Sequence, residues 1–499
     1  MKKLIHHIIF ISVVIAGLIQ PILSQDLTLG LQINDLASHP MQPLAKPAYL
    51  GTVTDPSFGT TIRRITDAGT GNAIVPMYST IQAWNADETL MIVYKTGVGD
   101  HILLDGMNYN EIRVLTDVSP KDLEQIFWDF NDPNFFYYLE AGTNALIKYQ
   151  VYTQTKAILV DLDVVSGCSG DIAMGNDVQM SSWDSSIFCF RCDNTDAYFY
   201  DVSINTISSF NINNINNTAP MPGPSGSHFY HRTDAYDDTG NLTYILNEAS
   251  TEHSCMGKLA NGNDAYFAVA FANGPQGGCG GNIVAHDLTT GSCFSIISQG
   301  QGYNYSQSGT HISALAHQNI NDGWLCASMM GYAKDGQTLL DQELVIARAN
   351  QGNIQVCRIG HHRSDEDEFN YWGEPHAVIS PSGTRVLFGS DWSGAEDGQS
   401  IDCYIVELPI FELVNSHITS LPDGIEVFPN PFTDRAVVSG EFTNYEIKVL
   451  DSLGQVVADY TGTASPLTID LTSLGSGMYF IQVQSTIDSK LSLHKIIKQ

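Results

Sequence analysis

Three segments of the chain bring together side chains able to bind a metal, hold an anion or move a proton. SGSHFYHRTDAYDDTG carries His228, Tyr230, His231 and Arg232, and SGTHISALAHQN carries His311, His317 and Gln318. IGHHRSDEDEFNYWGEPHAVISPSG carries His361, His362, Arg363, Tyr371, Glu374 and His376. Imidazoles ligate divalent metals and exchange protons near neutral pH, phenols can relay protons, and guanidinium groups clamp carboxylates. His228 and His311 each stand twelve residues ahead of a turn glycine, Gly240 and Gly323, and His376 stands seven ahead of Gly383. Histidines so placed in successive repeats would converge near one end of a common axis, as a metal site requires. The competing reading is structural, because histidines at strand ends often bond a neighbouring turn. Arginine is scarce in this acidic chain, yet HFYHR and GHHR each set one beside histidines. Trp392 offers a stacking face for a sugar ring if exposed, although packing at a strand end is its simpler role.

Other groups carry weaker signals. Cys189 and Cys192 form a CxxC, but FCFRC reads as an apolar strand and no second pair completes four zinc ligands. GPQGGCGGN (274–282) lacks the lysine and the following helix of a phosphate loop. SDEDEF (364–369) is acidic without the spacing of a dedicated calcium loop, so a solvated loop is favoured. No Gly-x-Ser-x-Gly elbow occurs. The nine cysteines imply some disulfides in an exported protein, with at least one thiol left over.

The elements that must position these groups are strands. Short β-branched or aromatic runs alternate with turns of Gly, Asn, Asp, Ser and Pro, the pattern of an all-β chain. A degenerate strand–turn–strand unit recurs, clearest in AWNADETLMIVYK, FWDFNDPNFFYYLE, MSSWDSSIFCFRC and AVISPSGTRVLFGSDW. Repeats of this size predict a seven-bladed β-propeller over residues 45–412, with a β-helix or two sandwiches as the alternative. FGTTIRRITD (58–67) is placed to add a strand to the last blade and close the ring. Residues 413–424 read as a linker, and 425–499 as a small C-terminal β-sandwich. Residues 1–25, with Lys2 and Lys3 ahead of an apolar run, read as a signal peptide. No later run is long enough for a membrane span, which the mature protein is expected to lack. The formal net charge of −31 disfavours nucleic acid as a partner.

The C-terminal pieces IEVFPNPF, EIKVLDSLGQVV and IDLTSLGSGMYFIQV, with the basic end HKIIKQ, resemble the C-terminal sorting domain of the type IX secretion system of Bacteroidetes. That resemblance implies export by the type IX machinery, to the medium or the outer-membrane surface. SPSGTRVLFGSDW resembles the repeat of TolB-like and WD-repeat-like propellers. The histidine constellation is similar to that of propeller-type polysaccharide lyases, in particular oligogalacturonate lyases and more loosely ulvan lyases. The implied reaction is β-elimination across a uronate residue of an extracellular polysaccharide. A divalent metal (Mn or Ca) would be held by His311, His317, Gln318 and His376. Arg232 would clamp the substrate, with His231 or Tyr230 as base or acid, and Arg363 and Trp392 would add substrate contacts. The chain also resembles secreted propellers of undefined activity through its DPSFGTTIRRITD, WNADETLM, HIS and PHAVISPSGTRVLFGSDW segments, which leaves a non-catalytic surface propeller binding glycan or protein as the alternative function.

Overall fold

The structure, a computed structural model of the 499-residue chain, describes residues 26–499 apart from 176–178, 247–252, 271–278, 304–310, 366–369, 393–398, 412–425, 430–431, 441–444, 451–455, 463–464, 476, 486–490 and 499. The signal peptide expected at 1–25, the linker at 413–424, and most of the acidic and glycine-rich loops at 364–369 and 274–282 therefore lie outside the described residues.

Among the described residues, 52–407 form seven antiparallel sheets, six of four strands and one of five. The first sheet is typical: Ile74–Val75, Leu90–Lys95, Asp100–Asp105 and Glu111–Val114 follow one another in space as in sequence. The first strands of the later sheets are Phe127–Trp128, Ile172–Ala173, Met221–Pro222, Ser254–Lys258, His311–Ser313 and Val378–Ile379. Their turns are built on Asp, Asn, Ser and Gly, which reverse the chain and satisfy its N–H groups. Asp87, for example, accepts from Thr89 N (3.2 Å), and Asn85 accepts from Leu90 N (2.9 Å). The strand expected from 58–67 is Thr61–Arg64. It pairs with Asp402–Glu407 as an outer strand of the seventh sheet and carries Thr52–Thr54 beyond it.

Hydrogen bonds pass from each sheet to the next. Asn85 donates to Pro133 O (3.0 Å), Asn131 to Trp183 O (3.0 Å), Trp183 N to Pro224 O (3.1 Å), and Ser225 Oγ to Asp264. Ala260 N then donates to Ala349 O (3.0 Å), and Gln318 N to Pro381 O (2.8 Å). The circuit closes where the buried Arg385 of the seventh sheet meets the largely buried Glu88 of the first at 2.6 Å. Burial would raise the Glu88 carboxyl, but Arg385 and the Ser382 N–H hold it below its ordinary range.

Residues 26–51 run as a strap over the sixth and seventh sheets. Asn34 N donates to Val356 O (2.7 Å), and Val356 N returns a bond to the Asn34 side chain (2.9 Å). Arg358, paired bidentately with Glu343 at 2.6 Å, donates to the carbonyl of Ala37 (2.5 Å). The folded body thus takes in residues ahead of 45.

Disulfides join Cys168 to Cys192 and Cys279 to Cys293, while Cys189, Cys255, Cys326, Cys357 and Cys403 are buried thiols. The CxxC cannot close on itself because positions three apart on a strand face opposite ways. Beyond residue 426 two further sheets, of three and four strands, surround a core that includes Phe432, Val438, Ile447, Val449, Ile469 and Ile481. Alternation along Tyr445–Leu450 is strict, buried then half-buried, as the sequence pattern expects.

Candidate functional site

His311 and His376 come together. His311 opens the first strand of the sixth sheet and pairs with Ser328, the fifth residue of the next strand. His376 lies just ahead of Val378–Ile379, where Gly389 N, also on a fifth residue, bonds Pro375 O. Equivalent register in two adjacent sheets therefore sets the imidazoles side by side, with ring centroids 4.2 Å apart. Glu374 joins them: its Oε2 is 3.2 Å from His311 Nε2 and 3.8 Å from His376 Nε2. One ligand atom from each of the three lies within 4.8 Å of the others.

The surroundings hold this arrangement. A short 3-10 turn, Asn370–Gly373, is followed by the bond from Glu374 N to Tyr371 O (3.1 Å), which turns the carboxylate inward. His376 has φ 43°, a left-handed conformation that costs a non-glycine residue roughly 1 kcal/mol and is held only by its neighbours. Tyr78 packs on both imidazoles, at 5.3 and 5.1 Å, and His253 on His311 at 4.6 Å. Tyr371 lies 4.9 Å from His376, and its hydroxyl donates toward Glu124 (3.3 Å). Trp372 and Tyr94 extend this aromatic wall.

Burial, reinforced by the nearby His253, pushes His376 down to about 3, so its ring is neutral at physiological pH. Neither ring nitrogen of His376 has a hydrogen-bond partner among the described residues. A buried polar atom left in that state costs free energy, and a ring with available lone pairs beside a carboxylate is what a cation would satisfy. The donor set of two imidazoles and a carboxylate fits a divalent metal.

His317 and Gln318 lie elsewhere. His317 is six residues beyond His311 on an extended chain, a span of up to about 20 Å. Its Nε2 is 3.0 Å from Phe130 O, in the second sheet, and its Nδ1 is 3.1 Å from Leu315 O. Burial lowers its pKa to about 4, so the ring is neutral and donates only one of these bonds. Gln318 also donates to Phe130 O (3.3 Å). Gln82 of the first sheet donates to Leu315 O and Ile379 O (3.2 and 2.9 Å), and Gln179 accepts from Met256 N. These inter-sheet bonds, all but that to Ile379 between non-neighbouring sheets, close the far end of the strands around a cavity of about 10 Å³ lined by Thr80, Gln82, Phe130 and Gln179. His317 and Gln318 are thus committed to that seal rather than to the cluster.

The other sequence candidates divide in the same way. His231 is buried with Nε2 3.0 Å from Ile215 O, and burial lowers its pKa. Tyr230 is buried and stacked 3.5 Å from Tyr266. Both are core residues, poorly placed to act as base or acid on a bound chain. Arg232 follows the strand His228–His231 at the fifth position, the register level of Ser328 and Gly389, and is half-buried. Arg363 is buried against Asp55 (3.7 Å), donates to Gln42 O (2.8 Å), and lies over Trp392. Trp392 is fully buried, stacked on Tyr404 at 4.7 Å and bonded to Leu44 O (2.9 Å). The strap covers this pair, so neither is presented to a substrate. Sequence reasoning singled out Glu374 but left it out of the expected ligand set, and it missed His253 and Tyr78 as members of the cluster. For Glu374 a signal existed, since it stands two residues before His376 and therefore on the same side of an extended chain.

The residue profile of the secretion system C-terminal sorting domain matches residues 426–499. The protein is accordingly directed to the medium or the outer-membrane surface, and the tail implies the type IX machinery as its partner in export. No curated protein matches the sequence. Among solved structures, an oligogalacturonate lyase from Vibrio parahaemolyticus superposes with a TM-score of 0.50 at 15% identity, over 74% of this chain and 99% of that one. The fold is therefore of the propeller kind. PorZ, a surface component of the type IX secretion system of Porphyromonas gingivalis, matches at 12% identity over 92% of this chain and 61% of that one, with a TM-score of only 0.31. No helix among the described residues is long and apolar enough to cross a membrane.

Proposed function

We propose that the chain is an exported seven-bladed propeller, with residues 1–25 as its signal peptide and a C-terminal sandwich as its sorting tail. We further propose that it acts on extracellular polysaccharide at the cluster of His311, Glu374 and His376, by elimination across a uronate residue. The observation that carries this reading is the meeting of two imidazoles and a carboxylate at one end of the sheets, among aromatic side chains suited to a sugar face. The lyase-like fold adds to it. His311, Glu374 and His376 would hold the metal, and two nitrogen donors favour manganese or zinc over calcium, which prefers oxygen. A bound divalent ion would supply the positive charge that makes the α-proton of a uronate acidic enough to remove.

The remaining roles fall to residues around the cluster. His253 and Tyr371 adjoin it and are the groups able to take or return a proton. Arg232 is assigned the substrate carboxylate. Tyr371, Trp372 and Tyr94 would orient the ring by stacking. The test is the ultraviolet absorbance of unsaturated product from a panel of uronate polysaccharides, with and without exhaustive chelation. Chelation should abolish the signal, and His376→Ala should do the same in a folded protein.

Two observations favour the alternative, a surface propeller that binds glycan without cleaving it. His231 and Tyr230 are engaged in the core, and Glu124 beside Tyr371 adds negative charge where a polyanion would approach. A flat lyase panel with metal-dependent retention on an immobilised glycan would select that reading.

A further inference from the structure

The Cys279–Cys293 pair has a third member. Cys293, the first residue of Cys293–Ile297, lies directly opposite His286 on Gly281–Asp287 in the fifth sheet. Opposed residues of antiparallel strands project to the same face. Cys279 sits two residues ahead of the His286 strand, and its N–H points at Cys293 Sγ (3.0 Å). Both sulfurs and a ring nitrogen of His286 lie within 4.8 Å of one another. His286 is fully buried, whereas both cysteines are half-buried. The imidazole therefore backs the sulfurs from the core while solvent reaches them from outside. Among the described residues no comparable third group accompanies Cys168 and Cys192.

We propose that Cys279, His286 and Cys293 form a redox-gated site for a thiophilic divalent cation such as zinc. With the sulfurs joined, as they stand here, the site is closed. A two-electron reduction by an external dithiol breaks the S–S bond and leaves two S–H groups, while the dithiol becomes a disulfide. Metal uptake then releases two protons as both thiols ionise. The His286 ring supplies the third ligand and a water the fourth, a common zinc set. Reoxidation removes both thiolates and expels the ion.

The experiment uses the full chain carrying His376→Ala, which silences the axial cluster. It is reduced with a dithiol, desalted under argon, loaded with zinc, desalted again and assayed for bound metal. The reduced protein should hold one more zinc per chain than the same chain carrying Cys279→Ser and Cys293→Ser. Replacing zinc by cadmium should add a sulfur-to-metal charge-transfer band, and His286→Gln should weaken binding about tenfold or more. Equal zinc in the two proteins, affinity indifferent to His286→Gln, or loss of the β-sheet circular dichroism on reduction would each overturn the proposal. If the serine pair fails to fold, His286→Gln, which keeps both sulfurs, supplies the comparison.

Discussion

Acid should destabilise this protein well before its carboxylates titrate, because several imidazoles are held neutral in the fold, His362 and His317 among them. His362 is fully buried with Nε2 on Met329 O (3.2 Å); burial, with His361 and Arg363 beside it, pushes it down to about 3. His317, in the axial seal, is brought to about 4 by burial. Both are raised to the ordinary value of about 6.5 when the chain unfolds. Between the folded and unfolded values the unfolded state binds more protons. The stability these neutral rings allow is thus complete above pH 6.5 and is lost as pH falls. From pH 7.5 to 5.0 the linkage relation gives about 2 kcal/mol for each ring and about 4 kcal/mol together. That is a large share of the 5–15 kcal/mol typical of a folded domain.

His376, brought to about 3, adds a loss of similar size, and His101 and His231, also lowered by burial, act in the same direction. His228, raised by its bond to Asp264, opposes them because its contribution is present at low pH and lost as pH rises. Asp55 and Glu88, both held below the usual carboxylate range, matter only at pH values below those tested. The assay is urea unfolding at pH 7.5, 6.5, 5.5 and 5.0, at fixed ionic strength with chelator present. His362→Gln and His317→Gln should each flatten the pH dependence by about 2 kcal/mol over that range. Comparison with wild type cancels changes in whole-molecule charge. Stability differing by less than about 1 kcal/mol between pH 7.5 and 5.0, or variants that keep the wild-type slope, would refute the assignment of these rings as neutral.

Three further outcomes are expected. Manganese or zinc at a hundred times its dissociation constant should stabilise the chain by about 2.7 kcal/mol, read as a rise in Tm that His376→Ala removes. Arg385→Met should cost about 3–5 kcal/mol, because it strands the largely buried Glu88 carboxylate at the ring closure; adding Glu88→Gln should recover much of that loss in denaturant melts. Deleting residues 426–499 should leave the chain inside the producing cell, read by fractionation and immunoblot, with the thermal transition of the remaining sheets preserved because the tail has its own core.

The sequence by itself determined what depends on local period and short motifs. Alternation along strands such as Tyr445–Leu450, turns built on Asp, Asn and Gly, the closing strand near Thr61–Arg64 and the sorting tail were all legible, because each is written within a few neighbouring residues. It also marked His311 and His376, through their place at the heads of two repeats. Only the tertiary structure decided which candidates meet. His317 is as near His311 in sequence as any residue of the cluster, but an extended strand carries it to the opposite end of the sheet, where it bonds Phe130 O. Glu374 and His253 reach His311 across adjacent sheets, over separations of 63 and 58 residues that no local pattern encodes. Arg363 and Trp392 look like ligand contacts in the sequence, yet the strap from residues 42 and 44 buries them. In a ring of sheets, strand period fixes which face a side chain takes, and only the closure of the ring fixes what it faces.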